Sequence, residues 1–576
     1  MYSNIKSVQI LISLLKKYGI TDVVLSPGGS DVSLVHSLEM DSDFTCYSVV
    51  DERSAAYFAT GVAQMKNRPC ACVCTSGTAV CNYLPGITEA FYQDVPVVAI
   101  TADKNPYFQG QMETQKIEQT HIFDGVVKKA VDLPVVYNEQ DEWMCNRLVN
   151  EALLELNHHG TGPVHINIPI VFSGTVYECE KLPDERKIDR LILNTDEFKS
   201  SLSAIDTSKK IMVLVGQNVV FSEKDVENME AFYNKTNCVF AVEHLSNLRV
   251  KGGAYSYPIS EMMGVAAMER LKPDVVISIG NNTGAYGWKK YIRENYKSTS
   301  NVLVSESGNV RDTYKCLDTI YECSASEFFH SFAQLWKERP LNKEHSYYNQ
   351  WQAEIAKVKV PEFEFSNFYV AQKLAQTIPD DSVLHLAIQY STRIIHYFDL
   401  AENVTTFSNY GALGIDGCYS TFAGQAAVTD KLCYLVVGDL SFFYDMNAAG
   451  LRSIGKNVRV ILLNNGGGGE FQYIFGRERI PELDENICAQ HNKTAGGWIK
   501  SLDYDYYSAT NKAEVDRALE KFAQPSNTPM FLEVFTNMEE DAHKTKQFYG
   551  DNRSQYKEYS QGVKGTVKSL LKKVKN

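Results

Sequence analysis

Two stretches of this 576-residue chain carry residue types at spacings that could do chemistry. The first is VVDERSAAYFATG, Val49 to Gly61, where a hydrophobic run stops at Asp51 and Glu52 and an alanine-rich helical pattern begins. A carboxylate at a helix start accepts orphan amide hydrogens and meets the positive end of the helix dipole. Ordinary capping explains one of these acids. Whether Glu52 is a second cap or holds a proton for chemistry depends on what the rest of the chain supplies. The second stretch is VVGDLSFFYDMNAAGLRSIGKNVRVILLNNGGGGEF, Val436 to Phe471. In it Asp439 offers a carboxylate, Asn465 an amide oxygen, and a glycine carbonyl such as Gly467 a third oxygen. These are hard ligands suited to magnesium, with phosphate oxygens completing the octahedron. Ser441 and the helix start can donate hydrogen bonds to the same phosphate. The bland alternative is a strand turn and a glycine-rich loop that bind nothing. Four consecutive glycines cost backbone entropy, and such runs exist where a backbone bends sharply or approaches something closely.

The elements needed to position these residues are legible as short apolar runs that alternate with helical patterns. TDVVLSPGG, FTCYSVVDE, CACVCTSG, VPVVAITAD and VHINIP read as strands ending in turns, with AAYFATGVAQMK and NYLPGITEAFYQ as helices between them. That is the grammar of a parallel sheet covered by helices. A second α/β stretch carries KKIMVLVG, NCVFAVEH, PDVVISIG and NVLVSES; a third carries SVLHLAI, VTTFSN, KLCYLVVGD, VRVILLNN and TPMFLEVF. The expected architecture is α/β, three domains with mostly parallel central sheets, at residues 1–187, 188–355 and 356–576. In a parallel sheet the Asp439 and Asn465 turns both fall at the carboxyl edge, where ligands bind. GNNTG in the middle stretch lacks the spacing of a dinucleotide fingerprint.

Composition narrows the function classes. A formal charge of -13 argues against a nucleic-acid surface or docking on anionic lipid. The tail VKGTVKSLLKKVKN is basic and reads as an amphipathic, solvated final helix. MYSNIKSVQILISLLKKYGI is too broken by polar residues for a signal peptide, and no apolar run approaches membrane-spanning length, which points to the cytoplasm. Cys70, Cys72 and Cys74 alternate, a spacing that puts all three on one face of a strand and suits a buried face better than zinc.

GDLS followed about two dozen residues later by NNGGGG resembles the magnesium–diphosphate motif of thiamine-diphosphate-dependent enzymes. SPGG, DERSAAYFATGVAQ and CTSGTAVCNYLPGITEAFYQDVPVVAITAD agree with it, as does SNYGALGIDGCYSTFAGQA. Within that superfamily the chain is most similar to the menaquinone-pathway synthases of 2-succinyl-5-enolpyruvyl-6-hydroxy-3-cyclohexene-1-carboxylate, along nearly its whole length. The resemblance implies thiamine diphosphate and Mg2+ as cofactors, with Asp439, Asn465 and the Gly467 carbonyl as metal ligands. It implies a catalytic Glu52 that reaches the aminopyrimidine ring of the cofactor from a neighbouring subunit and moves a proton there, leaving Asp51 the helix-start role. A carboxylate in a dry cleft beside a ring nitrogen has the environment for proton sharing. GALGIDG supplies the remaining cofactor wall: Gly411, Leu413 and Ile415 join Leu440 and Ser441, with Ile415 as the stiff wedge that bends the cofactor. A homodimer is the minimum assembly implied, and a dimer of dimers is compatible.

The substrate side departs from the family pattern. Where the family has a serine–arginine pair after its first PG, Ser30 takes the arginine position and Asp31 follows. TADR becomes TADK, leaving Lys104; NRGA becomes NYGA, leaving Tyr410; a serine–lysine–arginine stretch becomes GAYG, Gly284 to Gly287, with Tyr286. Gln115 matches the pocket glutamine, and Ser391 and Arg393 fall near the family's serine and arginine. Each lost arginine–carboxylate bond weakens a contact by about 1.5–3 kcal/mol. The leading expectation is therefore decarboxylation of a 2-oxo acid donor and transfer of its acyl carbanion to a small-molecule acceptor, with substrates other than the pathway pair. The first alternative is the pathway reaction itself, 2-oxoglutarate with isochorismate, with charge rebuilt from Lys289, Lys290 or Arg311. The second is a catalytically silent regulatory or structural subunit, against which intact Glu52, Asp439 and Asn465 count.

Overall fold

The computed structural model describes residues 1–66, 68–92, 95–158, 161–171, 176–217, 221–410, 413–415, 417–426, 429–451, 454–476 and 480–553. The basic tail expected as a final helix, and Gly411 of the expected cofactor wall, lie outside the described residues. The chain forms two compact units, residues 1–191 with 308–320, and residues 192–307 with 321–576. No helix among the described residues is long and apolar enough to cross a membrane.

In the first unit, six parallel strands lie in the order Thr45–Ser48, Asp22–Ser26, Cys70–Cys74, Val97–Asp103, Val164–Pro169, Lys129–Asp132. Alternation along these strands makes two cores. Val23, Leu25, Ala71, Val73, Val98 and Ile100 pack on one face, where the helices Lys6–Lys17 and Glu139–Glu155 contribute. Val24, Cys70, Cys72, Cys74, Val97 and Ala99 pack on the other, with residues of the helices Glu52–Lys66 and Thr78–Tyr92. The three alternating cysteines thus share a strand face, are free and fully buried, and desolvation pushes their thiols up, that of Cys70 to about 12.

In the second unit the strands Gly253–Tyr255, Cys238–Val242, Ile211–Val215, Val275–Ile279 and Ser300–Val304 are successive parallel neighbours. A last sheet has six parallel strands in the order Thr405–Phe407, Val383–Leu386, Cys433–Gly438, Val458–Asn464, Met530–Phe535, Asp505–Ala509. Its central strand VRVILLN is buried at every position, Arg459 included, and reads as an apolar run interrupted by that one arginine before Asn464. In the two six-stranded sheets, two strands escape the sequence reading, Lys129–Asp132 and Asp505–Ala509. Each is the edge strand at the same end of its sheet, partly exposed and without an apolar run.

Candidate active site

At the carboxyl edge of the last sheet, the strand Cys433–Gly438 runs into the helix Asp439–Tyr444, and the strand Val458–Asn464 runs into the glycine loop. Asp439 is buried there. Its Oδ1 accepts from Leu440 N at 2.7 Å, and its Oδ2 accepts from Gly466 N at 2.8 Å and Gly467 N at 3.0 Å. Burial dominates and holds its carboxyl above the usual range, against the pull of His491 and the three backbone donors. The Asn465 amide points one atom at two oxygens, the Gly467 carbonyl at 2.8 Å and Asp439 Oδ2 at 3.3 Å. With nitrogen in that position the amide donates to both; with oxygen there, three oxygens converge on one point and need a cation between them. That donor set fits a hard divalent ion whose remaining positions go to phosphate and water.

The glycines have a physical reason. Gly466 and Gly467 have φ of +85° and +154°, and a Cβ on Gly467 would stand 2.8 Å from the Cys488 carbonyl oxygen. A loop carrying Cys488 to His491 covers this turn, with Gly468 N donating to Cys488 O at 2.7 Å and His491 N donating to Gly466 O at 2.9 Å. His491 is a site residue that motif reading missed. Lys493 N donates to its Nδ1 at 3.1 Å, so the neutral ring carries its proton on Nε2, which faces Asp439 Oδ2 at 3.6 Å. Asn464, Asn465, Gly466, His491, Lys493 and Asn537 line a cavity of about 340 Å³ beside it.

Two expectations differ from what the structure shows, the hydrogen bond of Ser441 and the burial of Ile415. Ser441 was expected to donate to phosphate, but its hydroxyl donates to the Ile415 carbonyl at 2.7 Å and fastens the loop that carries the expected wedge. Ile415 was expected to be buried whether wedge or core; instead its side chain is 39% exposed. Leu413 before it takes φ +57°, a strained conformation for a residue with a side chain, while packing on the core. Leu440 is half-buried beside Asp439.

Glu52 lies in the first unit, half-buried, as the first residue of the helix Glu52–Lys66; the Asp51 carbonyl accepts from Ala55 N at 2.9 Å. Asp31 belongs to the same sheet edge. It is fully buried, its Oδ1 accepts from Gly28 N at 2.7 Å, and its Oδ2 has no hydrogen-bond partner among the described residues. Desolvation foremost, with Glu52 adding repulsion, lifts its carboxyl to about 6. Ser30 and Lys104 come together in a cavity of about 460 Å³ that Val32, Phe108, Glu113 and Ile170 also line. Ser30 Oγ bonds Ser76 Oγ at 2.9 Å, and Lys104 Nζ is held by Glu113 at 3.1 Å. Gln115 is exposed with φ +54°, its backbone packed on Gly77, whose N–H donates to the buried Gln119 at 2.9 Å.

The other expected substrate residues gather in the second unit. Tyr410 is buried, and its ionisation is suppressed by burial and then by the neighbouring Tyr286. Gly284 lies beneath them: a Cβ there would be 3.2 Å from the Tyr410 hydroxyl and 3.3 Å from Glu243, whose carboxylate accepts from Gly284 N and Ala285 N. At Gly287 a Cβ would stand 2.4 Å from the Ser260 carbonyl oxygen, so no basic side chain fits. Ser391 and Arg393 share the helix Tyr390–Ile395; Ser391 is buried, and Arg393 donates to Glu470 at 2.7 Å. Among the cations weighed as replacements, Lys289 lies over the Tyr286 ring, its ammonium lowered foremost by burial, whereas Lys290 pairs loosely with Glu294 and Arg311 is exposed in the first unit.

Parallel sheets with an oxygen set at one carboxyl edge and a half-buried acid at another are what a thiamine-diphosphate-dependent enzyme requires, and residues 5–122 match the family described as thiamine pyrophosphate enzyme, N-terminal TPP binding domain. A 2-succinyl-5-enolpyruvyl-6-hydroxy-3-cyclohexene-1-carboxylate synthase of Phocaeicola vulgatus is 37% identical over 563 residues, 95% of this chain and 99% of that one. Proteins of the same name from Bacteroides fragilis and Cytophaga hutchinsonii are 38% and 31% identical, over 95% and 93% of this chain and 99% and 97% of theirs. The chain belongs to this synthase family of thiamine-diphosphate-dependent enzymes.

Proposed function

We propose that this protein decarboxylates 2-oxoglutarate and adds the remaining acyl unit to isochorismate, using thiamine diphosphate and Mg2+. The observation that carries the reading is 37% and 38% identity to synthases of 2-succinyl-5-enolpyruvyl-6-hydroxy-3-cyclohexene-1-carboxylate, over alignments that cover 95% of the chain. It favours the pathway reaction, the alternative in the sequence reading, over changed substrates. Bound thiamine diphosphate would supply the electron sink that lets a 2-oxo acid lose carbon dioxide. In this reading Asp439, the Asn465 oxygen and the Gly467 carbonyl hold the ion, with His491 Nε2–H beside Asp439 (3.6 Å). Ile415, exposed on a loop that Ser441 fastens, wedges the cofactor, with Leu413 and Leu440 along its wall. Glu52 holds and moves the proton at the pyrimidine ring. Ser30, Lys104 and Gln115, and separately Tyr286, Ser391, Arg393 and Tyr410, contact substrate. The three-domain division and at least a homodimer belong to the same proposal; exposed Val50 and Phe58 flanking Glu52 suit a partner surface.

A second reading keeps the donor chemistry and changes the acceptor. Lys104 is already neutralised by Glu113, and Gly287 admits no basic side chain. The test is product formation from 2-oxoglutarate and isochorismate with cofactor and Mg2+ saturating. A second-order rate constant above about 10⁴ M⁻¹s⁻¹, ordinary for a native substrate, supports the first reading. Carbon dioxide release without use of isochorismate moves the conclusion to the second. Release from no 2-oxo acid overturns both.

A further inference from the structure

Arg393 and Glu470 form an ion pair that neither motif reading nor the family assignment calls for. Arg393 projects from the helix Tyr390–Ile395, and Glu470 begins the turn directly after the glycine run, three residues beyond Gly467. Nη1 and Oε1 are 2.7 Å apart, and each side chain keeps 15% of its surface exposed. The pair is only half made. Among the described residues the guanidinium donates this one hydrogen bond, and Glu470 Oε2 is buried with no partner. A guanidinium and a carboxylate left to themselves close a two-bond fork, so the single bond leaves valence on both groups. The Arg393 guanidinium lies 5.7 Å from the centre of the Tyr473 ring, and with both side chains of the pair mostly buried the electrostatic competition between Glu470 and any arriving anion is stronger than in open water.

We propose that Glu470 is a specificity-determining residue, a displaceable counter-ion that neutralises Arg393 until the distal carboxylate of an acidic 2-oxo acid takes its place. This rests on the reading that a 2-oxo acid reacts beside the Gly466–Gly469 loop. A donor with a neutral side chain leaves the pair closed; a donor with a carboxylate must break it and face the repulsion of Glu470. Glu470 therefore lowers affinity for the anionic donor, whereas a residue that merely orients Arg393 would raise it. The two roles predict opposite signs.

The experiment compares kcat/KM for carbon dioxide release from 2-oxoglutarate and from 2-oxobutanoate in the holoenzyme. Glu470→Gln should raise the 2-oxoglutarate to 2-oxobutanoate ratio about tenfold, through KM for 2-oxoglutarate, and Arg393→Met should lower it below that of the parent. In the Arg393→Met background, Glu470→Gln should move the ratio by less than it does in the parent, since only the direct repulsion is left to remove. A titration of the holoenzyme with glutarate and butyrate reads the same preference without turnover, and Glu470→Ala repeats it should the glutamine variant fold poorly. An unchanged or lowered preference for the dianion in Glu470→Gln overturns the proposal. If the parent turns over 2-oxobutanoate and ignores 2-oxoglutarate, the proposed function fails, while a glutarate preference gained by Glu470→Gln still upholds the role of Glu470.

Discussion

In the first unit the six strands lie in the spatial order second, first, third, fourth, sixth, fifth, and the last sheet of the second unit repeats that layout strand for strand. The two sheets nevertheless treat a buried acid at the carboxyl edge in opposite ways. Asp103 closes the fourth strand of the first sheet, and Lys116 is built in beside it at 2.5 Å, the two side chains 3% and 5% exposed. Asn167 Nδ2 adds a hydrogen bond to the same oxygen at 3.1 Å. Asp439 follows the third strand of the last sheet, and the basic side chain facing it among the described residues is the imidazole of His491, 3.6 Å away, whose Nδ1 accepts from Lys493 N at 3.1 Å. One acid has its counter-charge within the chain. The other meets three backbone N–H groups and, farther off, a single imidazole. A shared layout thus sets where acids can stand, and the nearby loops decide what faces them.

The largest expected effect comes from removing Asp439, the acid without a lysine or arginine beside it among the described residues. Asp439→Ala should weaken magnesium-dependent thiamine diphosphate binding by more than about 10²-fold, read by calorimetry, with the circular dichroism of the fold retained. Normal affinity in that variant would break the comparison. A smaller effect, on stability, is expected at the other acid. Lys116→Met leaves Asp103 charged and buried without its partner and should cost about 3–5 kcal/mol in denaturant unfolding. A loss below about 1 kcal/mol would mean that Asp103 is not neutralised by Lys116 in the way the geometry requires.

How much of this was legible in the sequence follows from what each signal depends on. The central strands of both sheets were readable because their residues are buried on both faces, as in VRVILLN and CACVC. The edge strands Lys129–Asp132 and Asp505–Ala509 were not, because a half-exposed edge needs no apolar run. Asp439, Asn465 and the glycines stood out in the sequence because they close two apolar runs, which the structure shows as adjacent parallel strands. His491 and Lys116 reach their acids from separate loops, and no local pattern announces them. The Arg393–Glu470 pair spans 77 positions and was invisible for the same reason. At Gly287, sequence comparison registered a lost basic side chain, and the structure supplies the cause, a carbonyl where the side chain would begin.

The central claim is a division of labour, in which the last sheet holds the cofactor and Glu52 on the first moves its proton. Exchange of the C2 hydrogen of enzyme-bound thiamine diphosphate with deuterated solvent, followed by quenched-flow magnetic resonance in Glu52→Gln, tests it most directly. Glutamine keeps the shape and most of the hydrogen bonding at the helix start and removes only the exchangeable carboxyl proton. The account predicts cofactor affinity close to that of the parent and exchange slowed by about 10²–10⁴-fold. Exchange at the parent rate would contradict it and leave Glu52 as a second cap on the helix Glu52–Lys66.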